Sequence, residues 1–235
     1  MAYLDGAEMT LFDRAKSLLD PGKPFGQPAT MIGEGPEVTP PERPQMVLRM
    51  MVRSPSSDGL QIPPELEWLR KTIEYCNGIQ TVNNVHNPYV YVTVRSGPVV
   101  SRTDDLWHVD GFSMRVPHPP EQNYIWCNCF GTEVLNQEIR LPSDFDPMRH
   151  NIHRYFQAQA DERNTEVLNP GTLYAIDPYV IHRRPSLSTE VWRTFFRISF
   201  VPIEIEDDTY TINPLIPRLK PYGREDIRLR LEDYS

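Results

Sequence analysis

The chain has 235 residues, 39% hydrophobic and 24% charged, which is enough for one domain with a sizeable core. Its 32 acidic residues against 24 basic ones leave a net charge of −8, which argues against a fold-wide basic surface for nucleic acid. No run approaches the ~18 apolar residues of a membrane-spanning helix, and three cysteines (Cys76, Cys127, Cys129) argue against a disulfide framework and fit a reducing cytoplasm.

The first residues, Met1 to Gly6, show neither a basic n-region nor an apolar h-region, so no signal peptide is expected. Residues 7–19 read as an amphipathic helix that Asp20-Pro21-Gly22 ends. Residues 21–45 are rich in Pro and Gly and lack periodicity, which predicts a long loop, either a surface wrap or an active-site lid. Residues 46–53 predict a strand. Pro63-Pro64 opens a second helix, with Leu66, Leu69, Ile73 and Cys76 at helical spacing and Gly78 just past its end.

The character then changes. Tyr89 to Val94 is a β-branched and aromatic run closed by Gly97-Pro98. Further strands are predicted over Asp105–Asp110, Tyr124–Phe130, Gly171–Ile176, Val180–His182 and Val191–Ile205. The run after His153 supports a helix that would carry His150 and His153 on one face, and residues 218–235 form a charged tail. Short strands separated by Pro and Gly turns, with 24 prolines in all, predict a mainly β fold with flanking helices, a sandwich or barrel. The expected organisation is one domain over 1–235: N-terminal support over 1–85, a β core over 86–205 and an extension over 206–235.

Within this frame, His108 and Asp110 occupy positions i and i+2 of a strand and so share a face, while Trp107 and Val109 take the other. Gly111 then lets the chain turn away. A His-x-Asp pair alone is weak evidence. His182 adds a second imidazole, and two imidazoles with one carboxylate can cover one face of an octahedral Fe(II), leaving the opposite face open; Mn(II) and Zn(II) also suit these donors. On the last strand Arg193, Phe195, Arg197 and Ser199 share a face. An arginine facing an apolar interior calls for an anion, and guanidinium binds a carboxylate in a two-pronged fork.

Taken together, Trp107-His108-Val109-Asp110-Gly111, the approach Pro170 to Asp177 toward His182, and the Arg193/Arg197 strand resemble the Fe(II)/2-oxoglutarate-dependent dioxygenases over roughly residues 86–202. The resemblance implies a double-stranded β-helix, the jelly roll or cupin-like barrel. It implies Fe(II) on His108, Asp110 and His182, with 2-oxoglutarate and O2 as co-substrates. It implies that Arg193 grips the distal carboxylate of 2-oxoglutarate and that Arg197 lies near its other end, with Tyr91, Thr93 and Asn128 as further candidates for holding it. The implied reaction oxidises an unactivated C–H of a small-molecule substrate and releases succinate and CO2; the presence of Asp110 favours hydroxylation over halogenation. Two alternatives stay open: a cupin-type Fe(II) dioxygenase or isomerase that does not use 2-oxoglutarate, and a non-catalytic jelly-roll binding protein.

Trp107, Trp126, Arg102 and Arg115 are candidate substrate contacts, and Tyr124 and Arg183-Arg184 flank the same region. Ordinary surface charge accounts better for any one of the arginines, and aromatic core packing accounts at least as well for the aromatic residues. Cys127 and Cys129 share a strand face, and without a second pair they read as structural thiols rather than a zinc site.

Overall fold

A computed structural model describes residues 23–33, 36–82, 87–99, 106–110, 121–145, 150–202, 204–205 and 209–216. The helix expected over 7–19, the tail 218–235, Gly111, Arg102 and Arg115 lie outside them. Among the described residues the chain is mainly β with two α-helices, and every strand pairing is antiparallel. The strands are β1 (Thr30–Met31), β2 (Gln45–Arg53), β3 (Tyr89–Val99), β4 (Gln122–Cys127), β5 (Glu133–Leu135), β6 (Thr165–Val167), β7 (Tyr174–Ile176), β8 (His182–Arg183) and β9 (Val191–Val201). The helices are α1 (Arg70–Val82), entered by a 3-10 turn over Pro64–Leu69, and α2 (Ile152–Gln159). No described helix is long and apolar enough to cross a membrane.

A six-stranded sheet has the order β1-β7-β4-β9-β3-β2, and a three-stranded sheet the order β6-β5-β8. Strand alternation gives each sheet two chemically distinct faces. On the large sheet, Val90, Val92 and Val94 of β3 and Phe196, Ile198 and Phe200 of β9 meet Leu66, Leu69, Ile73 and Cys76 in one buried cluster under α1. Its other face, with Ile125, Tyr174 and Ile176, packs on Val134 of the small sheet. The outer side of the small sheet carries Trp107, Val109, Leu135 and Ile181, which are buried under Ile152 and Phe156 of α2. Asn151 caps α2 by accepting from the Arg154 amide at 3.1 Å. The layer order is therefore helix, large sheet, small sheet, helix.

Several elements differ from their sequence expectation. α1 continues beyond Gly78 to Val82. An interior glycine costs a helix about 1 kcal/mol; here Ile79 packs on the core and buried Gln80 donates to the Tyr124 hydroxyl at 2.8 Å, which offsets it. β3 runs through Gly97-Pro98 to Val99. β2 reaches only to Ser96, so Pro98 faces β9 alone and its missing N–H breaks no ladder on the open side. The strand expected over Asp105–Asp110 is, among the described residues, a single bridge between His108 and His182. β4 stops at Cys127, after which Phe130 adopts φ 48°. β7, β8 and β9 are displaced or shortened relative to the expected bounds. β1, β5 and β6, of two or three residues each, are too short for periodicity to reveal.

Residues 23–33 wrap the fold. Phe25 bridges Ile139, the Gly26 amide donates to the Tyr179 carbonyl at 2.7 Å, and β1 adds an edge to the large sheet. Gly26 is required there: its φ is +83° and a Cβ would sit 1.7 Å from the Gln137 carbonyl oxygen. β1 and β2, from the stretch expected as N-terminal support, are thus members of the larger sheet.

Phe196 is fully buried, stacks on Trp126 with ring centroids 5.3 Å apart and meets Trp68 edge-on at 6.2 Å. Phe196→Ala is expected to cost about 3–5 kcal/mol, measured as a lowered urea midpoint at unchanged slope.

Candidate metal centre

The backbones of His108 and His182 exchange two hydrogen bonds, of 3.0 and 2.8 Å, so the two residues stand directly opposite each other. Their side chains therefore leave from the same face, with ring centroids 4.5 Å apart. Trp107, Val109 and Ile181 take the other face and anchor both segments in the core under α2. Each imidazole also contacts the chain two residues before it: His108 Nδ1 lies 2.9 Å from the Leu106 carbonyl and His182 Nδ1 lies 2.9 Å from the Val180 carbonyl. A carbonyl only accepts, so each Nδ1 carries a proton, which leaves Nε2 as the ring nitrogen that can turn to a metal. The same device holds metal-binding imidazoles in one tautomer.

Asp110 completes the group from two residues downstream of His108. One ligand atom from each of His108, Asp110 and His182 lies within 4.8 Å of the others, and no other group of three such residues gathers in this way among the described residues. Asp110 Oδ2 is 3.7 Å from His182 Nε2 and accepts from Asn123 Nδ2 at 2.8 Å, while Oδ1 accepts from Arg197 Nη1 at 2.5 Å. Burial alone would raise the Asp110 carboxyl, but the Arg197 guanidinium and the two imidazoles hold it below the usual carboxylate range. Burial, with His182 alongside, pushes the His108 imidazole down to about 4. The donor set near neutral pH is thus one anionic oxygen and a neutral imidazole at His108, the protonation states that bind a divalent cation. The three residues fit Fe(II), Mn(II) or Zn(II) on one side of the ion.

The two arginines of β9 occupy different places on one strand face. Arg197 touches the centre through Asp110. Arg193 lies four residues away, roughly 13 Å along an extended strand. It is 7% exposed, donates from Nε to the Phe130 carbonyl at 3.3 Å and lies over the Phe195 ring at 5.2 Å. Among the described residues no carboxylate pairs with it, and burial lowers its pKa, against the smaller opposing effect of Cys127 and Cys129.

The other expected residues scatter. The Tyr91 hydroxyl is held by the backbone of Ile205, accepting from its amide at 2.9 Å and donating to its carbonyl at 3.2 Å. Thr93 pairs with Arg197 across β3 and β9, and its hydroxyl accepts from the Arg49 amide at 3.2 Å. Asn128 accepts from the Thr194 amide at 2.8 Å, tying the end of β4 to β9. Trp107 is fully buried, with the Arg183 guanidinium 4.0 Å above its ring, and Arg183 is itself paired with Glu133 and Glu162. Trp126 packs under α1, on the face of the large sheet away from the metal centre. His150 precedes the cap of α2 and meets Phe145, whereas His153 lies within α2 with its ring 5.8 Å from His108. The two do not share a helix face, because Asn151 starts the helix one residue after His150.

Three residues escaped the sequence reading: Arg49, Glu121 and Asn123. Asn123 carried a usable signal, since it alternates in β4 with Tyr124, which faces the core under α1. Arg49 carried none. Val47 and Met50 both face α1, so an irregularity between them breaks the alternation and leaves Arg49, at φ 42°, on the face opposite.

No protein-family model and no curated protein matches the chain. Among solved structures it is similar to the crystal structure of AviO1 from Streptomyces viridochromogenes Tue57, at 16% identity and a TM-score of 0.38, over 80% of this chain and 76% of that one. A TM-score this low carries no functional weight.

Unfolded histidine titrates near ~6.5, well above folded His108. Between those values the unfolded chain binds a proton that the folded chain refuses, so the metal-free protein loses stability as the pH falls from about 6.5 toward 4. His108→Gln is expected to flatten that part of the profile, read from urea unfolding at successive pH values; parallel profiles would show that the His108 imidazole is not held below its unfolded value.

Proposed function

We propose that this protein is an Fe(II)- and 2-oxoglutarate-dependent oxygenase that hydroxylates an unactivated C–H of a small molecule. The observation that carries the reading is the convergence of two imidazoles, each with its Nδ1 committed to a backbone carbonyl, and one carboxylate between two sheets. Two facing antiparallel sheets with the site between them suit a double-stranded β-helix, in one domain, with the chemistry at its mouth.

When bound, Fe(II) with O2 and a 2-oxo acid supplies an oxidant strong enough for an unactivated C–H, chemistry that no side chain provides. The chain's own part is to hold and exclude. His108, Asp110 and His182 hold the metal from one side. Arg197 keeps Asp110 anionic and fixes its oxygens. Arg193, buried without a carboxylate of its own among the described residues, supplies the charge that the distal carboxylate of 2-oxoglutarate pairs with. Ile125, Val134, Tyr174 and Ile176 keep water from one flank of the interior.

Anaerobic addition of Fe(II) and then 2-oxoglutarate is expected to give one metal per chain and a weak visible charge-transfer band. His108→Ala is expected to remove both, and an iron-free native chain would overturn the metal centre. Arg193→Ala is expected to weaken 2-oxoglutarate by about 2 kcal/mol or more, roughly 30-fold, read by titrating the band. Iron uptake without a band would instead favour the cupin-type dioxygenase or isomerase, which has no use for Arg193; iron uptake and a band with no turnover of any compound would favour a binding protein.

A further inference from the structure

The metal-binding carboxylate is the end of a buried polar chain that the proposed reaction does not use. Arg49 Nη2 pairs with Glu121 Oε2, and Arg49 Nη1 lies 3.4 Å from Glu121 Oε1. Asn123 Nδ2 donates both to Glu121 Oε1 at 3.3 Å and to Asp110 Oδ2 at 2.8 Å. Arg197 closes the far side on Asp110 Oδ1 at 2.5 Å. The Glu121 side chain and all of Asn123 are fully buried. We propose that Arg49, Glu121 and Asn123 form a positioning relay that decides which oxygen of Asp110 faces the metal.

Three observations carry this. First, the Asn123 amide has one permitted orientation. Both of its neighbours are carboxylates, which only accept when ionised, so the NH2 must face them and Oδ1 must point away. Second, the two oxygens of Asp110 are made unequal. Oδ1 is committed to Arg197 on β9, whereas Oδ2 lies on the His182 side and receives one neutral donor, which leaves it a lone pair for a cation. Asp110 is thereby set as a one-oxygen ligand, and Glu121, braced by Arg49, keeps the Asn123 amide aimed at that oxygen. Third, the arrangement is poor packing. Arg49 Nε, Asn123 Oδ1 and Arg197 Nε are buried with no hydrogen-bond partner among the described residues, and Arg49 holds a left-handed backbone conformation at the irregularity in β2. Apolar residues of the same volume would be at least as stable there, so fold stability does not account for two arginines, a glutamate and an amide placed behind one carboxylate.

The relay rests on the metal-centre reading, and Co(II) separates the two because it binds such sites without turnover and reports its coordination in visible d–d bands. The full-length chain, Asn123→Leu and Glu121→Gln are compared by calorimetric Co(II) titration, by the d–d spectrum and by thermal unfolding. Asn123→Leu keeps the branched shape of the side chain and removes the donor. It is expected to weaken Co(II) by about 10–100-fold and to shift the bands of the folded protein as Asp110 is freed to rotate, over and above any fall in unfolding temperature from the two carboxylates that lose their shared donor. Glu121→Gln keeps the shape and loses the charge, and is expected to move affinity and spectrum in the same direction by less; it also carries the test if Asn123→Leu does not fold. A merely structural role would lower the unfolding temperature and leave the affinity and bands of the folded protein unchanged, and that result in both variants overturns the relay alone. No Co(II) uptake by the unmodified chain overturns the metal centre and the relay together.

Discussion

Asp110 is an anion largely enclosed between two sheets, its side chain 10% exposed, and an unpaired charge in that position would cost several kcal/mol. It is tolerated because Arg197 meets it at 2.5 Å from the facing sheet while Asn123 donates to its other oxygen. The contact joins the His108 segment, on the margin of the small sheet, to the central strand of the large one. It also sets the charge state of the site. Near neutral pH the carboxylate is ionised and the His108 imidazole neutral, which is the state a divalent cation selects.

Strand alternation turns that contact into an architecture. Along β9 the aromatic and branched residues Phe196, Ile198 and Phe200 enter the core under α1, which forces Arg197 and Ser199 onto the opposite face. Around His108 the same rule buries Trp107 and Val109 under α2 and turns His108 and Asp110 inward. The apolar residues thus select the direction of the polar ones. A one-residue slip in either segment would bury the charges against a helix and expose the core, so the hydrophobic cost that holds the register also holds the site.

The residues legible in the sequence are those whose neighbours in the chain determine their direction. His108, Asp110, Arg197 and the apolar stripe of α1 were legible because periods of two and 3.6 are local properties. Local signals are overridden where a tertiary contact competes with them. Gly78 looked like a helix end, but Gln80 and Ile79 have partners on the sheet and the helix continues. Gly97-Pro98 looked like a strand end, but β9 accompanies β3 past it. Trp107 and Trp126 looked equally suited to a pocket or a core, and only the packing of α2 and α1 against the two sheets assigns them to the interior.

The sequence by itself determined the candidate donor set: two imidazoles and a carboxylate with apolar companions on alternate positions, and two arginines on one face of a strand. Tertiary structure alone decided what stands behind them. Asn123, Glu121 and Arg49 come from β4, the residue preceding it, and an irregularity in β2, and nothing in their spacing relates them to Asp110. The reason is physical. Alternation along a strand is a short-range steric rule that sequence displays directly, whereas the meeting of side chains from strands distant in the chain depends on sheet order and register, and one irregular residue reverses the parity on which a sequence reading relies.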